Sequence, residues 1–191
     1  SDMPVIAERA MYGPDKQWAT DSIGTAAPAK KWYLAEGCTR DMETWILVQN
    51  PNAEKTSVEL TYMTPGGEIP GPSTEVPPYS RVSFNVANHV PGEYSVSTMV
   101  QSKDESVVAE RAMYGSGRIW ATESIGTPTP KTTWFLAEGC TNGGMETWIL
   151  VQNPGNTKAE VHLTYMTDTG AVAGHTASLP PKTRMTYKAS E

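Results

Sequence analysis

One cysteine and one pair of glutamates carry the chemistry this sequence has to offer, and each occurs twice in the same surroundings. Cys38 lies in Leu-Ala-Glu-Gly-Cys-Thr at residues 34–39, and Cys140 lies in the same six residues at 136–141. Several chemistries are open to these thiols. A disulfide between them needs Cα atoms within about 7 Å, whereas equivalent points of serially joined modules usually lie a module length apart. A reactive thiol, for instance in an internal thioester with Gln49 or Gln152, needs its acyl partner brought close by the fold. The expected use is a small, half-buried apolar residue at the end of a strand. An intermolecular disulfide stays open in an oxidising compartment.

The carboxylates are Glu36 with Glu43 and Glu138 with Glu146. Facing each other across neighbouring strands, such a pair would serve a glycosidase or a calcium ion. The stretches between them, Gly-Cys-Thr-Arg-Asp-Met-Glu-Thr and Gly-Cys-Thr-Asn-Gly-Gly-Met-Glu-Thr, share no oxygen-ligand pattern beyond the flanking Glu and Thr. No metal or other cofactor is therefore expected. A repeated Glu beside a Gly turn accepts backbone N–H bonds or pairs with an arginine. The arginines at hand are Arg9 and Arg111 in the repeated Glu-Arg-Ala-Met-Tyr, beside Glu8 and Glu110, and a partly buried pair is retained because removing one partner strands a charge.

Other catalytic apparatus is missing. His89, His162 and His175 have no counterpart in the other copy, and the sequence has no His-Glu-x-x-His, Gly-x-Ser-x-Gly, phosphate-cradling Gly loop or Cys-x-x-Cys. The protein is not expected to be an enzyme. Trp18, Trp32 and Trp45 recur as Trp120, Trp134 and Trp148; a sugar-stacking platform is one use for them and core or inter-module packing the commoner one.

The elements that must position these residues are repeated as well. Ala-Glu-Arg-Ala-Met-Tyr-Gly begins at Ala7 and again at Ala109, and Met-Glu-Thr-Trp-Ile-Leu-Val-Gln-Asn-Pro begins at Met42 and again at Met145, offsets of 102 and 103 positions. Self-similarity at this period marks tandem modules, and its length fits one β-sandwich each. Alternation puts Val58, Leu60 and Tyr62 on one face of a strand, and likewise Val82, Phe84 and Val86, and Val96, Thr98 and Val100. Strands are predicted at Trp-Tyr-Leu-Ala-Glu-Gly, Glu-Thr-Trp-Ile-Leu-Val-Gln-Asn, Ser-Val-Glu-Leu-Thr-Tyr-Met, Ser-Thr-Glu-Val-Pro, Arg-Val-Ser-Phe-Asn-Val, Ser-Val-Ser-Thr-Met-Val-Gln and Val-Val-Ala-Glu-Arg-Ala-Met-Tyr, an immunoglobulin-like count. Gln-Ser-Lys-Asp-Glu-Ser at residues 101–106 reads as a hairpin connection. No helical period is sustained anywhere.

With 16 Gly, 15 Pro and 38% hydrophobic residues in 191, the chain can bury two small cores. Its net charge of −6 has no basic run to offset it, so a nucleic-acid backbone is not an expected partner. No stretch reaches the roughly 18 apolar residues of a membrane span, and the N-terminus has no secretory apolar segment. The expectation is an internal piece of a longer protein.

Three ordered motifs, Trp-(Tyr/Phe)-Leu-Ala-Glu-Gly, Glu-Thr-Trp-Ile-Leu-Val-Gln-Asn-Pro and Ala-Glu-Arg-Ala-Met-Tyr, each present twice, resemble the repeated modules of large secreted bacterial surface proteins, a family of unknown function. The resemblance covers essentially the whole chain and implies an extracellular or cell-surface β-sandwich repeat with no activity attached. Members of that family often carry Gly-Gly-His after the Trp that follows the Glu-Arg strand. Here Trp18 leads into Ala-Thr-Asp-Ser-Ile-Gly-Thr and Trp120 into Ala-Thr-Glu-Ser-Ile-Gly-Thr, so no role of that His transfers.

The expected organisation is all-β, in tandem immunoglobulin-like sandwich repeats of about 100 residues. Residues 1–29 would be the final strands of a preceding repeat, 30–127 a complete repeat, and 128–191 a repeat lacking its final strands. The segment Val5, Ile6, Ala7, Glu8, Arg9, Ala10, Met11 and Tyr12 would complete that last repeat by strand addition, in its own chain or in the next. A boundary near Pro91 and Gly92 is the alternative. The expected function is a structural spacer or assembly scaffold whose partners are further copies or neighbouring repeats. A carbohydrate- or cell-wall-binding module, and an appendage of a secreted hydrolase, are the other readings.

Overall fold

The computed structural model describes residues 2–191, apart from the side chain of Ser116. It is all-β. Among the described residues, fourteen antiparallel strands are joined by loops and three short 3-10 turns. The core belongs to a sandwich of two four-stranded sheets. One sheet has the order β10 (Ala121–Ile125), β9 (Val108–Gly115), β4 (Met42–Asn50), β7 (Ser80–Asn85). The other has the order β3 (Lys31–Leu34), β8 (Ser97–Ser102), β5 (Thr56–Thr64), β6 (Gly67–Val76).

Period-two alternation makes this core. Ile46 and Val48 from β4, Val58, Leu60 and Tyr62 from β5, and Val96 and Val100 around β8 are at most 1% exposed. Burial in this apolar interior pushes the Tyr62 phenol up to about 12. β6 carries Pro70 and Pro72 because it is an edge strand paired only with β5, where a missing N–H costs no ladder bond. The β5–β6 turn needs Gly67, at φ 117°, and the same turn of the second copy uses Gly170 at φ 127°.

Two sequence expectations are corrected here. Residues 101–106 do not close a hairpin, since β8 and β9 lie in different sheets. Both strands must turn apolar faces, Val100 and Ala109, onto one core from opposite sides, and the loop crosses between layers, with Thr56 Oγ1 accepting from the backbone N–H groups of Asp104 and Glu105. An eighth strand, β10, was also not expected. Its sequence Ala-Thr-Glu-Ser-Ile has no apolar alternation, and it is held by five-residue pairing with β9.

The remaining strands form pairs. β1 (Glu8–Tyr12) pairs with β2 (Ala19–Ile23), β11 (Trp148–Asn153) with β14 (Thr183–Lys188), and β12 (Ala159–Thr167) with β13 (Gly170–Leu179). The counterpart of the Trp32 strand, Trp-Phe-Leu-Ala-Glu-Gly at residues 134–139, forms no strand. Trp32 and its neighbours become a strand by pairing with β8, and no described strand offers that pairing to Trp134.

Asn50 and Asn153, which end the two Trp-Ile-Leu-Val-Gln-Asn strands, show why that motif recurs. Asn50 Nδ2 donates to the carbonyls of Glu54, Val76 and Pro77 at 2.8, 3.2 and 3.0 Å. Asn153 Nδ2 does the same to Thr157, Leu179 and Pro180 at 2.9, 3.1 and 3.0 Å. Each amide satisfies buried carbonyls of the neighbouring loop, groups whose desolvation would otherwise go unmatched.

Candidate functional site

The Leu-Ala-Glu-Gly-Cys-Thr loop leaves β3 and closes one end of the sandwich, and each of its residues is consumed in doing so. Leu34 is in the core at 4% exposure. Ala35 offers its carbonyl to Arg184 Nε at 3.1 Å. Glu36 pairs with Arg111. A Cβ on Gly37 would sit 2.9 Å from the Val96 carbonyl oxygen, so the residue must be glycine. Thr44 Oγ1 clamps Cys38 by accepting from its N–H at 3.0 Å and donating to its carbonyl at 2.6 Å. Thr39 closes the loop onto Glu93, its N–H donating to the Glu93 carbonyl at 2.7 Å while its Oγ1 accepts from the Glu93 N–H at 2.9 Å.

Charge is concentrated behind this loop. Arg111 pairs with Ile46 across β4 and β9, so it points between the sheets, where it is 3% exposed. Its other neighbours include Met113 Sδ at 3.5 Å, the guanidinium of Arg184, whose charge opposes its own, and the carboxylate of Glu123, whose charge favours it. Burial, with that like charge second, depresses Arg111 to about 10. Burial also brings Arg184, 1% exposed, to about 10. Both stay charged at neutral pH, so each needs acceptors inside the protein.

The structure separates the two glutamates of the first copy. Glu43 lies opposite Tyr114 on the outward face, where Arg118 holds it through bonds of 3.1 and 2.8 Å and Trp45 Nε1 donates at 2.9 Å. The Arg118 bond and then the Trp45 bond lower its pKa. Glu43 therefore pairs with Arg118 rather than with Arg111, because alternation along β4 turns it away from the interior, while Arg9 is taken by Glu110 and Glu123. Arg9 reaches Glu110 at 2.9 Å and Glu123 at 2.8 Å, fixing the β1–β2 hairpin to the outer face of the β9–β10 sheet. Glu146 is taken by Lys188 at 2.6 Å. Glu8 and Glu138 are exposed and form no ion pair among the described residues. Among the described residues β1 pairs with β2 and with no strand of the 128–191 segment, so strand addition within the chain is not adopted there.

Both thiols are free. Cys38 is 6% exposed and burial raises its pKa, while Cys140 is only half-buried, keeping the Thr147 clamp with bonds of 2.7 and 2.9 Å and a thiol contact to the Asn142 carbonyl at 3.6 Å. Since the accessible thiolate is the reactive form, native alkylation is expected to label Cys140 well before Cys38, read by mass spectrometry of digests. Equal rates would show that the loop around Cys38 opens freely.

Among the described residues no group of three or more His, Cys, Asp or Glu is placed to share a metal ion. No described helix is long and apolar enough to cross a membrane. The tryptophans make no common platform in the first copy. Trp32 is buried, Trp45 is bound to Glu43, and Trp18 packs edge-on against Tyr114 with centroids 6.0 Å apart. What sequence reasoning missed was Arg184, the buried anchor between the halves. Its equivalent, Arg81, is exposed, so no local signal distinguished them.

No family model matches the chain, and no curated protein matches it. Among solved structures it is similar to Thermotoga maritima 1070, at 17% identity and TM-score 0.47 over 52% of this chain and 94% of that one. It is also similar to the Anabaena sensory rhodopsin transducer, at 16% identity and TM-score 0.38 over 45% of this chain and 97% of that one. Likenesses this distant carry no functional argument.

Proposed function

We propose that the chain is a non-catalytic structural repeat of an extracellular, cell-surface or filament-forming bacterial protein, built of tandem immunoglobulin-like modules that act as spacer or assembly scaffold. The observation that carries the reading is the fate of the Leu-Ala-Glu-Gly-Cys-Thr loop. In the first copy the loop's side chains are spent on core, clamp and ion pair, with the Glu36 carboxylate held by Arg111 and the Cys38 thiol buried. The pairings β4–β7 and β6–β5–β8 match those of immunoglobulin strands B–E and C′–C–F, although β3 and β9 sit in the sheets opposite to A and G. Module boundaries at 30–127, with 1–29 and 128–191 as parts of flanking repeats, agree with a sandwich running from β3 to β10. Strand addition between copies would use the edge of β11 that faces no partner, in the way β9 uses β4.

A cell-wall polysaccharide ligand is the second reading, favoured by the exposure of Trp134, Phe135 and Trp148 at 57, 88 and 45%. The two part on a glycan array and a peptidoglycan pull-down with the whole chain. The scaffold reading expects no saturable binding and no quenching of tryptophan emission, and saturable binding to any glycan would replace it with the second.

A further inference from the structure

The two copies differ in length in the loop that follows Leu-Ala-Glu-Gly-Cys. Thr-Arg-Asp-Met at residues 39–42 becomes Thr-Asn-Gly-Gly-Met at 141–145. The insertion writes Asn142-Gly143, and none of the six other asparagines is followed by glycine. That pair has a chemistry of its own. The side-chain amide carbon of an asparagine is an electrophile, and the backbone nitrogen of the next residue closes a five-membered ring when it attacks. A side chain on the next residue obstructs the closure, and glycine has none.

The structure holds the two reacting groups side by side. Gly143 N–H donates to Asn142 Oδ1 at 2.9 Å, so the nitrogen lies against the amide whose carbon it would attack. Gly143 and Gly144 take φ of 61° and 83°, and nothing stands within 4 Å of where a Cβ on either would sit. The ends of the loop are fixed by the Thr147 clamp on Cys140, and Met145 N–H donates to the Asn142 carbonyl at 3.1 Å. A formed turn with its reacting groups adjacent has less to gain by searching than a free chain has. Asn142 is exposed, and so are Arg40 and Asp41 at the same place in the complete first sandwich, so the exposure belongs to the position of the loop.

Each other asparagine lacks one of these conditions. Asn50 and Asn153 are buried, spend their amides on three carbonyls each, and precede prolines, which have no N–H to lose. Asn52 Nδ2 is engaged by Asn50 Oδ1 and the Ser106 carbonyl at 2.8 and 2.7 Å. Asn85 Oδ1 accepts from Ala87 N–H at 3.0 Å, past its neighbour Val86. Asn88 and Asn156 are exposed but precede His89 and Thr157.

We propose that Asn142-Gly143 is a site of spontaneous self-modification, where the loop converts its asparagine to isoaspartate and aspartate. The Gly143 N–H gives its proton to hydroxide, and its nitrogen bonds to Asn142 Cγ. The Cγ–Nδ2 bond then breaks, and the departing nitrogen takes a proton from water and leaves as ammonia. One water opens the resulting imide. Opening at Cγ gives aspartate. Opening at the main-chain carbonyl carbon gives isoaspartate, in which the chain runs through Cγ and the carbonyl that accepted from Met145 has become a free carboxylate. Either product gives this loop the negative charge that Asp41 already gives the first copy, and isoaspartate also adds a methylene to the chain between the clamped ends. The inference stands independently of the scaffold reading.

The experiment is incubation of the full chain in mildly alkaline buffer, with peptide mapping at each asparagine and isoaspartyl methyltransferase labelling of the products. Asn142 is expected to convert at least about tenfold faster than Asn88 or Asn156, a modest difference in barrier. Isoaspartate should be the larger product, and the rate should rise with hydroxide. Asn142→Gln would have to close a six-membered ring, so it should abolish conversion at this loop while keeping the wild-type melting curve. Similar conversion at Asn142, Asn88 and Asn156 overturns the assignment. So does an intact Asn142 in the folded chain when a peptide of residues 138–147 converts in the same buffer, since the fold would then be holding the reacting groups apart.

Discussion

Trp32→Ala is expected to destabilise the protein by about 3–5 kcal/mol, the range for removing a buried large aromatic, while Trp134→Ala in the identical motif changes stability by no more than about 0.5 kcal/mol, as for an exposed surface position. Trp32 is 1% exposed and its indole N–H satisfies the Val107 carbonyl. Its removal opens a cavity beside Val100 and Gly126 and leaves that carbonyl without its indole donor. Trp134 is 57% exposed and has neither support. Urea midpoints of the two variants give the comparison directly. Equal losses in the two variants would mean that Trp134 is packed in solution as Trp32 is.

This contrast shows what the sequence could and could not tell. Alternation at Val58, Leu60 and Tyr62 identified a core face because those strands face one buried layer and one wet one. The strand at Trp32 was legible for the same reason. The identical signal at Trp134 misled, since a strand exists through its neighbour's hydrogen bonds and none is at hand there. β10 escaped notice for the converse reason: Ala121–Ile125 has little apolar pattern and is held by β9 and by the hairpin stacked on it. In the candidate site the pairing of Arg111 with Glu36 was legible as a Glu near an Arg, because both belong to motifs. The pairing of Glu43 with Arg118 was not, because Arg118 stands in a turn whose counterpart is Lys16. Arg184 and Arg81 are the same residue at equivalent places, and only tertiary packing buries the first.

The second large effect is at Glu36. Glu36→Ala is expected to cost about 2–4 kcal/mol, because it leaves the Arg111 guanidinium without its carboxylate in the sandwich interior. The lower part of the range applies because the Glu36 side chain is 38% exposed, so that water entering at the loop can solvate part of the orphaned charge, whereas that of Arg111 is 4% exposed. Arg184 raises the stakes, since a second buried cation nearby disfavours an unneutralised Arg111 further. The same substitution at the equivalent Glu138, which is exposed and unpaired among the described residues, should be close to neutral. A double-mutant cycle isolates the cause. Arg111→Met removes the buried charge and keeps an apolar stem of similar reach, and in that background Glu36→Ala should cost less than about 1 kcal/mol. If Glu36→Ala costs as much with Met at position 111 as with Arg, the glutamate acts through the backbone of its loop. The ion pair would then be a consequence of the closed end of the sandwich and not its cause.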